Sequence, residues 1–267
     1  MAFSRTPAQT RTATAADDRT VDVWRIDLQP PAVVLTAVER LLADDELERA
    51  DRFRFERDRR RFVAARAALR LLLGGLLAVD AREIVFAYGP HGKPALAARF
   101  AGACTFNVSH SDELALVAIS RDAALGVDVE HMRPLPDADA IAVHAFSPRE
   151  IAGLRALPAD DRHAAFFACW TRKVAYLKAL GSGLAKPLDA FDVTFAPGDV
   201  ARLSVPGDDL ETDRWSMHAL DPAPAYAGAL VVERRGGERV VRSRRWSWEP
   251  AAVNEMATAR RRAMEAI

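Results

Sequence analysis

Hydrophobic and polar positions change period several times along the chain, and those changes mark out its elements. Val21-Asp-Val-Trp-Arg-Ile-Asp-Leu28 alternates with period two, which predicts a strand, and Pro30-Pro31 ends it. From Leu35 to about Phe55 apolar residues recur at helical spacing, and a second helix is expected from about Asp58 to Leu77. Ile84–Tyr88 predicts a strand, followed by the turn Gly89-Pro-His-Gly-Lys-Pro94. Three further strands are expected at Thr105–Val108, Leu114–Ser120 and Gly126–Glu130, and then a loop over Pro134–Asp139.

Ser147-Pro-Arg-Glu150 combines an N-cap serine, proline at the first helical position and glutamate three residues after the cap, which announces a helix start. A helix from about Arg162 to Leu180 should stop at Gly181-Ser-Gly183. The rest predicts mostly strands, with a hairpin turn at Glu233–Arg239 and a polar helix over Met256–Ile267. Helix followed by strands thus occurs twice. The expected architecture is α+β: two similar lobes, 20–122 and 123–250. A disordered tail (1–19) and a polar helix (251–267) flank the lobes.

Composition narrows the function. Half of the 267 residues are hydrophobic, enough for a packed core, and 37 basic residues balance 37 acidic ones. That balance lacks the basic excess of a general nucleic-acid or membrane binder. No stretch is apolar and long enough to cross a bilayer, and without the apolar run of a secretory signal over Met1–Asp18 none is expected. Cys104 and Cys169 have neither CxxC nor metal-ligand spacing, so two buried thiols in the cytoplasm are expected.

Five segments carry candidate chemistry. In Gly126-Val-Asp-Val-Glu130, strand alternation turns Asp128 and Glu130 to one face, where two hard oxygen ligands can share Mg²⁺; the same pattern also suits an amphipathic strand with solvated acids. Phe106-Asn-Val-Ser-His-Ser-Asp112 reads as a strand end that turns, with Ser109, His110 and Ser111 available to an anion or capping their own turn. Lys93 sits in a turn that is either a plain hairpin loop or a phosphate contact. Nine arginines lie between Glu48 and Arg70, either a solvated face or a cationic stripe, and Arg61, Arg66 and Arg70 extend beyond the interspersed acids. Lys173 and Lys178 flank a stripe formed by Phe166, Trp170, Val174 and Leu177, which also suits a core helix with snorkelling lysines.

Together and in this order, the segments resemble the 4′-phosphopantetheinyl transferases of the long, monomeric type that activate peptide and polyketide synthetases. The likeness runs from about Trp24 to Val232. It is carried by Asp45–Ala50 with Arg52-Phe53, Gly92-Lys-Pro94, Phe106–Ser111, Gly126–Glu130, Phe146–Glu150 and Trp170–Leu184. It implies transfer of 4′-phosphopantetheine from coenzyme A to a serine of an apo acyl or peptidyl carrier protein, releasing 3′,5′-ADP. Asp128 and Glu130 would hold Mg²⁺, and Lys93, Ser109 and His110 would meet the 3′-phosphoadenosine end. Arg61 and Arg66 would face phosphates, while Lys173 and Lys178 would meet the pyrophosphate. One departure stands out: the family carries glutamate after the lysine of the helix motif, and this chain carries Val174. The resemblance therefore admits an active transferase, its activity lowered by Val174, or a binding protein of the same fold with impaired transfer.

Overall fold

The computed structural model describes residues 19–249 except 182, 184 and 185. The tail over 1–18 and the helix expected at 256–267 lie outside the described residues. The first strand, β1 (Thr20–Asp27), buries Val21, Val23 and Ile26. The helix expected over 35–55 is two: α1 (Ala32–Glu39) and α2 (Asp44–Asp51). The break lies just before three successive acids, where the Glu46 carboxylate accepts the N–H of Ala43 at 2.9 Å and starts a new helix. α3 (Glu56–Leu77) runs unbroken through Gly74-Gly75 and ends at Ala78, which is left-handed at φ 54°. Arg70 on α3 and Glu46 on α2 are both buried and paired at 2.6 Å, which locks the two helices together.

A hairpin of β2 (Phe86–Tyr88) and β3 (Pro94–Leu96) follows. Then come β4 (Thr105–Ser111), β5 (Leu114–Ser120) and β6 (Leu125–His131). α4 (Ala138–Ala145) grows out of the segment read as loop. α5 (Pro148–Ala156) starts at Ser147, whose hydroxyl accepts the N–H of Glu150 at 3.1 Å. α6 (Ala159–Leu180) ends at Gly181 in the left-handed region. Short strands β7 (Asp192–Val193) and β8 (Leu203–Ser204) and helix α7 (Asp209–Arg214) lead to β9 (Trp215–Leu220), β10 (Tyr226–Glu233) and β11 (Val240–Arg245).

Two sheets form the body, in strand orders β11-β1-β5-β4 and β6-β10-β9. They pack against each other through Val21, Val23, Leu116, Val127, Val129 and Leu230. α3 covers the outer face of the first sheet over a core that includes Leu69, Phe106 and Val117, and α6 covers the second with Phe166, Tyr176 and Val231. The result is an α+β fold in four layers. β5, sandwiched on both faces, is buried at every position, which is why Leu-Ala-Leu-Val-Ala-Ile reads as a continuous apolar run.

The hairpin expected at 233–239 does not form. β10 and β11 belong to different sheets, and β11 crosses to lie parallel to β1, from Thr20 opposite Val240 to Arg25 opposite Arg245. Local turn chemistry loses to burial of two indoles. Trp246 and Trp248 enter the first core, Trp246 meets Trp24 edge-on at 6.4 Å, and Trp248 Nε1 donates to Asp27 O at 2.6 Å. Each indole removes roughly 150–250 Å² from water. The strand expected in the second lobe therefore completes the sheet of the first.

Candidate active site

The two sheets meet where β4 lies beside β6, and side chains rather than a backbone ladder join them. β6 pairs with β10 along one edge. Its other edge offers the N–H groups of Val127, Val129 and His131, accepted by Asn107 Oδ1 at 2.8 Å, Ser109 Oγ at 3.4 Å and Ser111 Oγ at 3.0 Å. Thr105 continues the row by donating to Ala123 O. These four residues alternate along β4, so they share one face. The expected turn at Ser109–Asp112 therefore lies later, because β4 stays extended through Ser111.

The same row holds the acidic pair. Ser109 Oγ donates to Asp128 Oδ1 at 2.8 Å, and Ser111 Oγ donates to Glu130 Oε2 at 2.7 Å. Lys178 Nζ, from α6, donates to Asp128 Oδ1 and Ser109 Oγ, each at 2.8 Å. Asp128 is 3% exposed, and its Oδ2 has no hydrogen-bond partner. Burial pushes the carboxyls of Asp128 and Glu130 above their ordinary values, opposed at Asp128 by Lys178 and at Glu130 by Ser111. Gly126 brings α6 this close: a Cβ there would stand 2.1 Å from Ala175 O and 2.3 Å from Ala179 N.

His110 faces the opposite side of β4, towards α3. His110 is exposed at the surface, and crowding by the surrounding atoms, then Lys178, with Arg49, Arg61 and Arg66 acting alike, pushes its imidazole below the ordinary value. Arg61 Nη2 pairs with Asp112 at 2.8 Å, and Arg66 pairs with the buried Glu46 at 3.3 Å while lying 5.2 Å from the Phe86 ring centre. This basic cluster, with Arg49 and Arg66 lying over the Phe62 ring, is suited to a phosphate-bearing nucleotide.

Two expected ligand contacts are engaged elsewhere. Lys93 Nζ crosses from the first lobe to Leu125 O at 3.1 Å and Lys178 O at 2.5 Å, and burial, then Lys178, lower its pKa to about 8. Lys173, expected beside Lys178 on a pyrophosphate, is fully buried in the second lobe. Its ammonium pairs with Glu150 Oε2 at 2.7 Å and donates to Leu188 O and Phe191 O. Five residues of helix separate the two lysines by roughly 140°, so they cannot share a face. The structure thus gathers Asp128, Glu130, Ser109, Lys178, His110, Arg61 and Arg66 around the seam, and leaves Lys173 in the core.

Sequence reasoning missed Arg49 beside His110 and the bond from Ser111 to Glu130. The alternation of Ser109 and Ser111 was a usable signal once β4 was extended. Val174 lies one turn from Lys178 and one turn from Trp170, all three half-buried along one line of α6. Nearby, Glu130, Arg133, Leu135, Ile141, Phe166, Phe167 and Trp170 line an open hollow of about 150 Å³. A larger one, about 920 Å³, lies among Phe195, Trp215 and His218 and is not lined by either carboxylate. Size does not make it the reactive site.

Among the described residues no group of three or more His, Cys, Asp or Glu could hold a metal. Two carboxylates on one strand face, one with an unpartnered buried oxygen, nevertheless fit Mg²⁺, which keeps waters and draws its other oxygens from phosphates. No helix among the described residues is long and apolar enough to cross a membrane.

Comparison with known proteins accounts for both lobes. Residues 27–122 match the model described as 4′-phosphopantetheinyl transferase, N-terminal, and residues 124–231 match the 4′-phosphopantetheinyl transferase superfamily. The 4′-phosphopantetheinyl transferase HetI of Nostoc sp. is 40% identical over 213 residues, 79% of this chain and 87% of that protein. A putative 4′-phosphopantetheinyl transferase of Synechocystis sp. is 31% identical over 73% of this chain and 77% of its own length. The 4′-phosphopantetheinyl transferase Sfp of Bacillus subtilis is 28% identical over 57% of this chain and 66% of its own. With a relative this similar over most of its length and both lobes matched, the chain belongs to the 4′-phosphopantetheinyl transferase superfamily of transferases.

Proposed function

We propose that the chain transfers 4′-phosphopantetheine from coenzyme A to a serine of an apo acyl or peptidyl carrier protein, in the cytoplasm and as a monomer. The observation that carries this reading is the junction of Asp128, Ser109 and Lys178 at the lobe seam, with Asp128 Oδ2 unpartnered. His110, Arg49, Arg61 and Arg66 bind the 3′-phosphate. Asp128 and Glu130 would hold Mg²⁺, which supplies charge neutralisation at the pyrophosphate when bound. Lys178 stands beside them with an ammonium that can offset charge on the leaving oxygen. The serine oxygen bonds to the β-phosphorus as its proton passes to solvent water, the bond from that phosphorus to the bridging oxygen breaks, and 3′,5′-ADP leaves.

The hollow beside Glu130, apolar at Leu135, Ile141, Phe166 and Trp170 and basic at Arg133, suits an amphipathic acidic helix of the carrier. A cleft formed by both lobes of one chain supports the monomer, and two unpaired buried thiols suit the cytoplasm. A second reading rests on Val174, which provides no acceptor for the serine proton: the same fold would then bind coenzyme A or a carrier and transfer slowly. Transfer of a fluorescent coenzyme A label to an apo carrier domain separates the two. The first reading expects turnover that Asp128→Asn abolishes even at temperatures where the variant, which loses the ion pair with Lys178, is still folded. Equal turnover in parent and variant at saturating magnesium would defeat the metal assignment, and no turnover in the parent would favour the second reading.

A further inference from the structure

The row of side chains along β4 does two jobs that can be separated. Asn107, Ser109 and Ser111 each accept one N–H from β6 and so join the lobes. Ser111 also spends its only proton on Glu130 Oε2 at 2.7 Å, whereas Asn107 Oδ1 accepts the main-chain N–H of Val127. Glu130 is half-buried, and its side chain would otherwise sample several rotamers at the mouth of the cleft. A hydroxyl that must accept from His131 N has its remaining proton directed, so β6 itself aims the donor at the carboxylate.

We propose that Ser111 is a positioning residue that fixes Glu130 for divalent-cation binding, an inference resting on the metal reading given above. It touches neither the cation nor the substrate in this role. Groups that orient a ligating carboxylate are typically worth 10–100-fold in metal affinity. Asn107 belongs to the same seam without the link to a carboxylate, and its loss weakens the junction only.

The test is binding of Mn²⁺ in the presence of coenzyme A, read from the electron paramagnetic resonance of free Mn²⁺, alongside melting temperatures. Ser111→Ala is expected to weaken Mn²⁺ by about 10–100-fold, and Ser111→Thr, which keeps the hydroxyl, to recover most of the loss. Asn107→Ala should lower the melting temperature yet leave Mn²⁺ affinity near the parent's. Parental affinity in Ser111→Ala, or equal weakening in Asn107→Ala, would overturn the positioning role while leaving the metal reading intact. Failure of the parent to bind Mn²⁺ would remove the metal reading and this role with it. If Ser111→Ala does not fold, Ser111→Cys carries the test: its weaker donor should give a partial loss, and parental affinity would count against the role.

Discussion

Replacing Val174 with glutamate tests the site most sharply, because the two accounts of this position forecast opposite results. Residue 174 is half-buried and one helical turn before Lys178, whose ammonium lies 2.8 Å from Asp128. Residues at this spacing have Cβ atoms about 5–6 Å apart. A carboxylate introduced there would therefore come within roughly 6 Å of Asp128. At an effective dielectric of about 20 such a like-charge pair repels by about 3 kcal/mol, and an ion pair with Lys178 returns only about 0.2–0.5 kcal/mol. Without metal, Val174→Glu should be destabilised by up to about 2–3 kcal/mol, a fall of roughly 5–10 °C in Tm for a chain of this size, or it should take up a proton. With magnesium and coenzyme A the repulsion becomes cation binding. Ligand at about 100 times its Kd stabilises by roughly 2.7 kcal/mol, so the Tm deficit should close. Carrier loading should accelerate by about 10²–10⁴-fold, the usual worth of a positioned base. The assays are label transfer to a carrier domain and thermal melts with and without both ligands. A variant no faster than the parent, whose deficit persists with ligands, would mean that residue 174 does not face Asp128.

His110→Ala should weaken coenzyme A by about ten- to a hundred-fold, the worth of a charge-assisted bond, and leave dephospho-coenzyme A nearly unchanged; calorimetry that finds both weakened alike would remove His110 from the 3′-phosphate. Gly126→Ala drives a methyl into the backbone of α6 and should cost at least about 3 kcal/mol, beyond ordinary overpacking, so a chemical denaturation midpoint close to the parent's would contradict the close approach of β6 and α6. Lys93 has a folded pKa of about 8 against an ordinary 10.5, so the folded chain releases this proton first. Its contribution to stability is therefore full above 10.5 and is lost as pH falls through 8. The melting temperature of the parent relative to Lys93→Met should rise between about pH 7 and pH 10, and a constant difference would show that this ammonium is not buried at the lobe junction.

The acidic pair was legible because two residues apart on a strand means one face, and the fold class because helix and strand periods alternate twice. The lysines of α6 were legible only in part. Their spacing of five already set them on different faces, but nothing local revealed that Glu150 would draw Lys173 inward while it also accepted the N–H of Ser147 and Val193. Ser109 looked like a ligand contact because its partner, Asp128, lies nineteen residues on, across a lobe boundary that no periodicity describes. The destination of β11 was hidden for the same reason. A Gly-Gly turn predicts a return to the preceding strand, and what overrides it is a core more than two hundred residues earlier in the chain.

That strand has a consequence for how the molecule is made. As the chain leaves the ribosome, β1, β4 and β5 are available early, but the neighbour of β1 and the two indoles of the first core arrive only after the whole second lobe has been synthesised. Until then the outer edge of β1 is an open pairing surface, a hazard for association with other nascent chains. Closure of a contact this distant in sequence is slow, since most of the chain must already be arranged before it repays its entropy. Cleft residues from both lobes therefore mature together, and a translation stall near residue 239 would leave a protein with every cleft residue present and an unfinished scaffold beneath them.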